Sequence, residues 1–237
     1  MSTQDQKVAV ITGASQGIGA ALVTAYRKLG YAVIATSRGI AESEDPDVVT
    51  VQGDIADRDT AERVIAAGVE GFGRIDTLVN NAGIFIAKPF TEYTEEDYDA
   101  VLGVNVDGFF RITQLAVERM LEQGGGHIVQ ITSSLGDQPD SHVTSVLASL
   151  TKGGLQSATK ALAIEYATRG IRSNAVALGT IKTPMHPEEY HETLAALHPI
   201  GRMGEVSDIV DAVVYLETAP FVTGVVLPVD GGQAAGR

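Results

Sequence analysis

The sequence has no cysteine among its 237 residues, so neither a disulfide nor a cysteine-ligated metal site can form. It also lacks any apolar run of the roughly 18 residues that a membrane helix requires. Residues 1–7 are polar and contain no hydrophobic core of a signal peptide. These absences make a cytoplasmic location the default expectation, and no membrane partner is expected.

Positive charge is scarce as well. Asp and Glu outnumber Lys and Arg by 30 to 17, which gives a formal net charge of −13. Such a chain repels phosphate backbones and anionic membranes, so a nucleic-acid partner is not expected. No Pro-, Ser- or charge-rich stretch is long enough to act as a linker, and 44% of the residues are apolar. Residues 1–237 are therefore predicted to form one domain with a sizeable core.

What the sequence does contain is a glycine-rich stretch, TGASQGIG at 12–19, between an apolar strand pattern at 8–11 and an amphipathic helix pattern at 20–29. Its glycines, at 13, 17 and 19, allow a sharp turn, close approach of the backbone to a pyrophosphate, and close packing of helix against sheet. The anion would then lie on free N–H groups at the positive end of the helix dipole. Because any tight strand-to-helix turn can use glycine, the flanking strand and helix are what favour a dinucleotide site.

Short apolar strands alternate with helical patterns along the rest of the chain, which predicts an α/β fold with a parallel sheet. Strands are predicted at 8–11, 32–36, 48–52, 76–79, 126–131, 171–177 and 225–229. Helices are predicted at 20–29, from 57 to the glycines at 71 and 73, at 94–120, at 147–168 and at 205–218. The stretch 185–203 is predicted to form a mobile helical lid. In such sheets ligands bind at the carboxyl edge of the strands.

The second predicted strand ends at Ser37 and Arg38, where a dinucleotide fold meets the adenosine ribose. An acidic residue there favours NAD, whereas an arginine can pair with a 2′-phosphate, so Arg38 favours NADP(H), with NAD(H) as the alternative. Arg38 could instead be a solvated loop residue that pairs with the acidic residues at 42–45. Asp54, after the third strand, either accepts a hydrogen bond from the adenine or caps the following helix.

Three further positions carry polar groups toward the same edge. The fourth strand is followed by NNAG at 80–83, a turn where backbone can meet a ligand. Asn105 lies inside the predicted helix 94–120, where asparagine is unfavourable and needs a reason. The fifth strand leads to Ser133, which has the alternative role of a turn or helix cap.

With these motifs in this order, the chain resembles the short-chain dehydrogenase/reductase family over nearly its full length. The matching segments are TGASQGIG at 12–19, GDI at 53–55, NNAG at 80–83, Asn105, Ser133, Lys152 and GTIKTPM at 179–185. The resemblance implies a single Rossmann-type, doubly wound domain with a seven-stranded parallel sheet and helices on both faces. It also implies an NAD(P)-dependent oxidoreductase of small molecules, usually a homotetramer built partly from the two long helices, with a homodimer as the alternative.

Carried over by position, the resemblance assigns catalytic roles to Ser133, Lys152 and Asn105. It also implies that Lys152 would bond the nicotinamide ribose and that Gly179, Ile181 and Thr183 would hold the nicotinamide carboxamide. The residues that it implies for cofactor binding are Gly13, Ser15, Gln16, Gly17, Ile18, Gly19, Ser37, Arg38, Asp54, Ile55, Asn81, Ala82, Gly83, Lys152, Gly179, Ile181 and Thr183.

One position departs from the family. The family's proton donor is a tyrosine four residues before the lysine, but position 148 is alanine, and residues 99–165 contain no tyrosine. Alanine cannot donate a proton, and general acid catalysis typically contributes about 10² to 10⁴-fold. Three groups are candidates to replace it: Lys152, directly or through a water, His142 in the preceding loop, and Tyr190 in the lid.

These candidates have simpler interpretations. His142, His186 and His198 are most often surface or loop histidines, and Tyr190 a helix-face aromatic. The lid histidines have no familiar metal spacing, so no metal is expected. The predicted function is hydride transfer to or from a small organic carbonyl, imine or activated alkene. The alternatives are a catalytically silent dinucleotide-binding sensor or assembly protein and, more distantly, a lyase or isomerase.

Overall fold

The computed structural model describes residues 6–235, which form one seven-stranded parallel sheet with helices packed on both faces. The ends of the predicted domain, residues 1–5 and 236–237, lie outside the described residues. The strands are β1 Val8–Thr12, β2 Ala32–Ser37, β3 Val48–Gln52, β4 Thr77–Asn80, β5 Gly126–Ser133, β6 Ile171–Leu178 and β7 Val226–Val229. All seven predicted strands are present, with their ends shifted by at most two residues.

The helices are α1 Gly17–Lys28, α2 Arg58–Phe72, α3 Glu95–Leu102, α4 Gly108–Gln123, α5 Val146–Tyr166, α6 His191–Ala195 and α7 Val206–Thr218. Successive side chains of a strand point to opposite faces, so each strand serves two cores. On one face Ile11 packs with Leu22 of α1 and Ile209 of α7. On the other, Val10 packs in one cluster with Ile112 of α4 and with α2. Burial on both faces explains why the strands are apolar runs rather than alternating patterns.

The order of the strands, β3-β2-β1-β4-β5-β6-β7, reverses direction between β1 and β4. At such a switch point the loops diverge and leave a crevice at the carboxyl edge, where ligands bind in open α/β sheets. The glycine-rich stretch lies here. Gly13 (φ +65°) and Gly17 (φ +55°) adopt left-handed backbone conformations, and a Cβ on Gly19 would lie 2.1 Å from the carbonyl oxygen of Gly13.

The helix expected at 94–120 is one helical run but not a regular one. α3 passes into a π-helical turn, Gly103–Asp107, before α4 continues to Gln123. The whole run, Glu95–Gln123, is long and apolar enough to cross a membrane by length and composition alone, with a mean hydropathy of 1.2 in its most apolar window. Its buried side, which includes Ile112 and Met120, packs on the sheet, as in the core helix of an α/β domain.

Candidate active site

A cavity of about 850 Å³ lies at the carboxyl edge of the sheet, near the upper end of the range for small-molecule and cofactor sites. Its walls come from the loops after β1, β2, β3, β4, β5 and β6, from α5, and from the segment 185–203. Every residue that the sequence indicates for cofactor binding lines this cavity, from Gly13 to Thr183. The structure therefore brings into one cavity residues as far apart in sequence as Gly13 and Thr183, which are separated by 170 positions.

The glycine-rich loop is held by hydrogen bonds that involve Asn81 and Thr12. The sequence predicts no role for the Thr12 side chain. Thr12 Oγ1 accepts hydrogen bonds from the backbone N–H groups of Asn81 (3.0 Å) and Ala82 (2.9 Å). The Asn81 amide donates to the carbonyl oxygens of Thr12 (2.9 Å) and Gly13 (3.2 Å). The Asn81 side chain thus holds the loop in shape, while the first N–H groups of α1 receive no side-chain cap and are free for an anion.

The end of β2 carries two side chains for which the described part of the chain supplies no partner. The buried Ser37 Oγ has no hydrogen-bond partner, and Arg38 is exposed and forms no salt bridge within residues 6–235. In the acidic stretch at 42–45, the alternative partner of Arg38, Asp45 pairs with Arg27 at 2.8 Å, and none of these carboxylates forms a salt bridge with Arg38. An orphaned buried hydroxyl beside an unpaired guanidinium fits the ribose and phosphate of a nucleotide.

Asp54 does not cap α2, which leaves its alternative interpretation open. Asp57 occupies the residue before the helix, and Asp54 Oδ1 instead accepts from the backbone N–H of Ala56 at 3.0 Å. Asp54 and Ile55 both line the cavity. Helix α4 packs closely behind Ile55, because a Cβ on Gly108 would lie 2.9 Å from the Ile55 side chain.

At the opposite end of the cavity Lys152, Ser133 and Ala148 share the wall. Lys152 Nζ donates to the carbonyl oxygen of Ile131 at 3.0 Å, and burial lowers the pKa of this ammonium to about 8. Ser133 Oγ accepts from the backbone N–H of Leu135 at 3.2 Å, so it also has the turn-capping role. Ala148 is buried in the cavity wall and leaves no hydroxyl beside the lysine.

Asn105 lies behind this end of the cavity rather than in its wall. Its Oδ1 accepts from the N–H of Ile84 (2.9 Å), and its Nδ2 donates to the carbonyl oxygen of Ile84 (3.1 Å) and to Thr151 Oγ1 (3.2 Å). A Cβ placed on Gly83 would be 2.8 Å from Lys152 Nζ and 3.3 Å from Asn105 Oδ1. Asn105 lies in the π-helical turn, which directs its buried amide toward the loop after β4. The hydrogen bonds to Ile84 are the reason for an asparagine inside this helix.

The candidate proton donors do not all reach the cavity. Lys152 and Tyr190 line it, but His142 does not; its ring is exposed and lies 2.9 Å from Asp140 Oδ1. Of the two interpretations of His198, surface or loop, the structure supports the loop: the residue follows α6 outside regular secondary structure but is buried, at 3% exposed. His186, interpreted in the same way, lies in a loop, is half-buried and lines the cavity, with Nδ1 2.8 Å from the carbonyl oxygen of Ile181.

The segment 185–203 contains a 3₁₀ turn, Glu188–Tyr190, followed by the short helix α6. The side of this segment that faces the cavity is largely apolar. Sequence periodicity does not predict which of its residues face the cavity, because these helices are too short to show a pattern. The lining residues from this segment are Met185, His186, Pro187, Tyr190, Thr193, Leu194 and Leu197. Within residues 6–235 no group of three or more His, Asp or Glu side chains is placed to hold a metal ion.

The profile of the family described as Enoyl-(Acyl carrier protein) reductase matches residues 13–234. The 3-oxoacyl-[acyl-carrier-protein] reductase FabG of Thermotoga maritima is 38% identical over 244 residues, which cover 95% of this chain and 97% of the relative. This chain belongs to the short-chain dehydrogenase/reductase family. As a short-chain dehydrogenase/reductase it is an oxidoreductase, and its Rossmann-type sheet agrees with that membership.

Solved structures of this family superpose on nearly the whole short-chain dehydrogenase/reductase domain. ElxO with NADP bound has a TM-score of 0.90 and 31% identity, covering 98% of this chain and 100% of its own. The 3-ketoacyl-(acyl-carrier-protein) reductase from Brucella melitensis, complexed with NADH, has a TM-score of 0.90 and 30% identity with the same coverage.

Proposed function

We propose that this protein is an NADP(H)-preferring oxidoreductase whose proton donor is Lys152. Its substrate would be a small organic carbonyl, imine or activated alkene. The observation that carries the proposal is the shared cavity wall of Lys152, Ser133 and Ala148, in which the buried ammonium is the acid and position 148 carries no phenol.

The cofactor fits what the cavity offers. A Cβ at Gly13 would lie 3.0 Å from the Cα of Ala82, and one at Gly19 would lie 2.1 Å from the Gly13 carbonyl oxygen, so both positions require glycine. The first N–H groups of α1 have no side-chain cap and suit a pyrophosphate. The unpartnered Ser37 hydroxyl and Arg38 guanidinium suit a 2′-phosphorylated ribose. NADP bound to ElxO and NADH bound to the Brucella melitensis enzyme support both forms as candidates. A bound NADPH would supply the hydride.

Lys152 has the properties of a usable acid. Its pKa of about 8 leaves it largely protonated at neutral pH, yet more than two units more acidic than an ordinary lysine at about 10.4. A general acid works best when its pKa lies near the working pH. The ammonium has three donors, and Ile131 uses one of them. The remaining protons are available to substrate oxygen, directly or through a water in the space beside Ala148.

The missing phenol also narrows the substrate. Hydride addition to a ketone creates an alkoxide that needs a proton, whereas a protonated imine already carries the positive charge that the hydride neutralises. An imine, or an alkene activated by a carbonyl group, therefore depends less on a strong acid at position 148. The apolar side chains of Leu194, Leu197 and Val143 suit an organic substrate of small to medium size.

The test is a panel of ketones, cyclic imines and enones with NADPH, followed at 340 nm for the wild type and an Ala148→Tyr variant. We expect wild-type turnover of an imine or enone, with kcat falling as the pH rises above about 8, because Lys152 then loses its proton. Ala148→Tyr is expected to gain about 10² to 10³-fold in ketone reduction.

Lys152→Arg keeps the charge but holds its proton too tightly to donate it, so kcat should collapse, whereas Lys160→Arg on the exposed side of α5 should change nothing. Undiminished turnover in Lys152→Arg would reject the lysine as the acid. NADPH binding without transfer to any substrate would favour the alternative of a silent dinucleotide-binding sensor or assembly protein.

We further propose a homo-oligomer, a tetramer or a dimer, assembled through the two long helices. Phe110 of α4 is 60% exposed, and on α5 Leu150 and Ile164 are 59% and 83% exposed. Apolar side chains this exposed on neighbouring long helices are typical of an interface. A cytoplasmic location stays a prediction from the composition.

A further inference from the structure

His198 lies between the lid segment and the loop that follows β6, and both of its ring nitrogens are engaged. Nδ1 donates to the carbonyl oxygen of Leu194 at 3.0 Å, and Nε2 accepts from the backbone N–H of Thr180 at 2.8 Å. Because a backbone N–H can only donate, Nε2 carries no proton, and the ring is the neutral Nδ1–H tautomer.

The ring packs directly on backbone. A Cβ on Gly179 would lie 2.6 Å from His198 Nε2, and one on Gly231 would lie 3.2 Å from His198 Cβ. The imidazole thus fills the space between the end of β6 and the turn that follows β7. Asp230 is in that turn, but its carboxylate oxygens accept from the N–H groups of Gly232 and Ala234.

This one side chain joins two walls of the cavity. Thr180 stands between Gly179 and Ile181, which line the cavity and are indicated for the nicotinamide carboxamide, and Leu194 lines the lid side. The other backbone hydrogen bond of Thr180 does not involve the lid helix: its carbonyl oxygen accepts from the N–H of Gly204 at 2.9 Å. Without the imidazole, the Thr180 N–H would lose its acceptor and the loop its contact with α6.

We propose that His198 is a positioning residue that fixes the loop 179–183 against the lid and so sets the nicotinamide end of the cofactor for hydride transfer. This inference rests on the NADP(H) binding proposed above. It assigns His198 no contact with the cofactor; the residue acts through Thr180 and its neighbours. The adenosine end is held by the loops after β1, β2 and β3 and does not depend on it.

The test compares His198→Leu and His198→Gln with His191→Leu, a matched control whose histidine donates only within the lid, to the carbonyl oxygen of His186 at 2.9 Å. The ligands are NADPH and adenosine 2′,5′-bisphosphate, which has the adenosine end but no nicotinamide. In His198→Leu we expect unchanged binding of the bisphosphate, about tenfold weaker NADPH binding, and a lower kcat. His198→Gln should restore both, because its Oε1 can accept from the Thr180 N–H.

Hydrogen exchange of the Thr180 amide gives a readout that needs no cofactor: protection should be lost in His198→Leu and kept in His198→Gln and His191→Leu. Should the leucine variant fail to fold, His198→Asn carries the same test, since its shorter side chain keeps a donor for Leu194 but falls short of Thr180.

Three results would overturn the inference alone: NADPH binding and kcat in His198→Leu equal to wild type, equal losses for NADPH and the bisphosphate, or the same loss in His191→Leu. Wild-type protein that binds neither ligand would overturn the proposed function instead, and this inference with it.

Discussion

At the scale of single residues, Ser37 at the end of β2 and Arg38 just after it carry polar groups that no group in the described part of the chain satisfies. The Ser37 hydroxyl is buried without a partner, while Arg27 rather than Arg38 takes the nearby Asp45. A buried unpartnered hydroxyl costs free energy unless a ligand completes it. These two residues are therefore where selection between the two cofactors is expected to act.

Arg38→Ala should weaken NADPH binding about 10 to 100-fold and leave NADH binding nearly unchanged, because a charge-assisted bond to a 2′-phosphate is lost and NADH has none. Titration of the purified variant with both cofactors measures the ratio. Lys28→Ala, which removes an exposed positive charge at the far end of α1, is the control. An equal loss for both cofactors would mean that Arg38 does not read the phosphate.

At the scale of elements, α5 has two duties on opposite sides. Its inner side carries Ala148, Lys152 and Leu155 toward the sheet and the cavity, while its outer side exposes Leu150 and Ile164. Exposed apolar residues on a long helix are stabilised when a second helix covers them. An interface there would also stiffen the helix that holds the lysine.

The double variant Leu150→Glu, Ile164→Glu should yield a smaller species than the wild type in size-exclusion chromatography with light scattering, because facing copies of α5 would repel. Its circular dichroism should be unchanged, since both side chains are exposed in the folded chain. Thr24→Glu adds charge to the exposed side of α1 as a control. A wild-type mass equal to that of one chain would contradict the proposed oligomer.

At the scale of the whole molecule, a buried carboxylate ties the amino edge of the sheet together, opposite the cavity. Glu217, at the end of α7, accepts hydrogen bonds from Tyr31 (2.8 Å), Tyr26 (3.0 Å) and Thr77 (3.1 Å). His127 Nδ1 lies 2.8 Å from Glu217 Oε2, the oxygen that also accepts from Tyr26. The cluster joins α1, β4, β5 and α7 through one side chain.

The cluster keeps a single charge. Burial acts to raise the pKa of the Glu217 carboxyl, but the hydrogen bonds from His127, Tyr31 and Tyr26 outweigh it and hold the pKa well below its ordinary value. Burial lowers the pKa of His127, which is neutral here because its Nε2 accepts from the Asn174 amide at 3.0 Å. The neutral ring therefore acts on Glu217 as a donor and not as a cation.

The free energy of unfolding should fall with decreasing pH in two overlapping ranges. Stability falls below about pH 6.5, because His127 takes up its proton more readily in the unfolded chain. Stability falls further below about pH 4.3, because the lowered pKa of Glu217 in the folded chain means that this carboxylate is protonated first in the unfolded chain. Urea unfolding between about pH 3 and 8 measures both steps.

Glu217→Gln should cost about 3 kcal/mol at neutral pH, because its amide cannot accept all four donors. It should also reduce the lower step, because residue 217 no longer titrates while Asp45, Asp97 and Asp208, whose pKa values are also lowered, still do. Glu62→Gln, an exposed residue in an i,i+4 pair, should change stability little. A full lower step in Glu217→Gln would place the acid sensitivity elsewhere.

The sequence by itself determined the sheet and the contents of the cavity. The glycines of 12–19, the apolar strands and the residues at the strand ends are local patterns, and parallel strands send their carboxyl ends to one edge. The absence of the family's tyrosine is also visible in the sequence, because the residue four positions before Lys152 is Ala148. Family resemblance was needed only to give these positions roles.

Only the tertiary structure decided which groups meet across long separations. It excluded His142 from the cavity, placed Asn105 behind it, buried His198 on a loop 18 positions earlier, and gathered the Glu217 donors from up to 191 positions away. No periodicity or spacing records such contacts, because they depend on how finished elements pack. The cofactor-binding residues that line the cavity follow from the sequence; the hydrogen-bond partners of the buried groups do not.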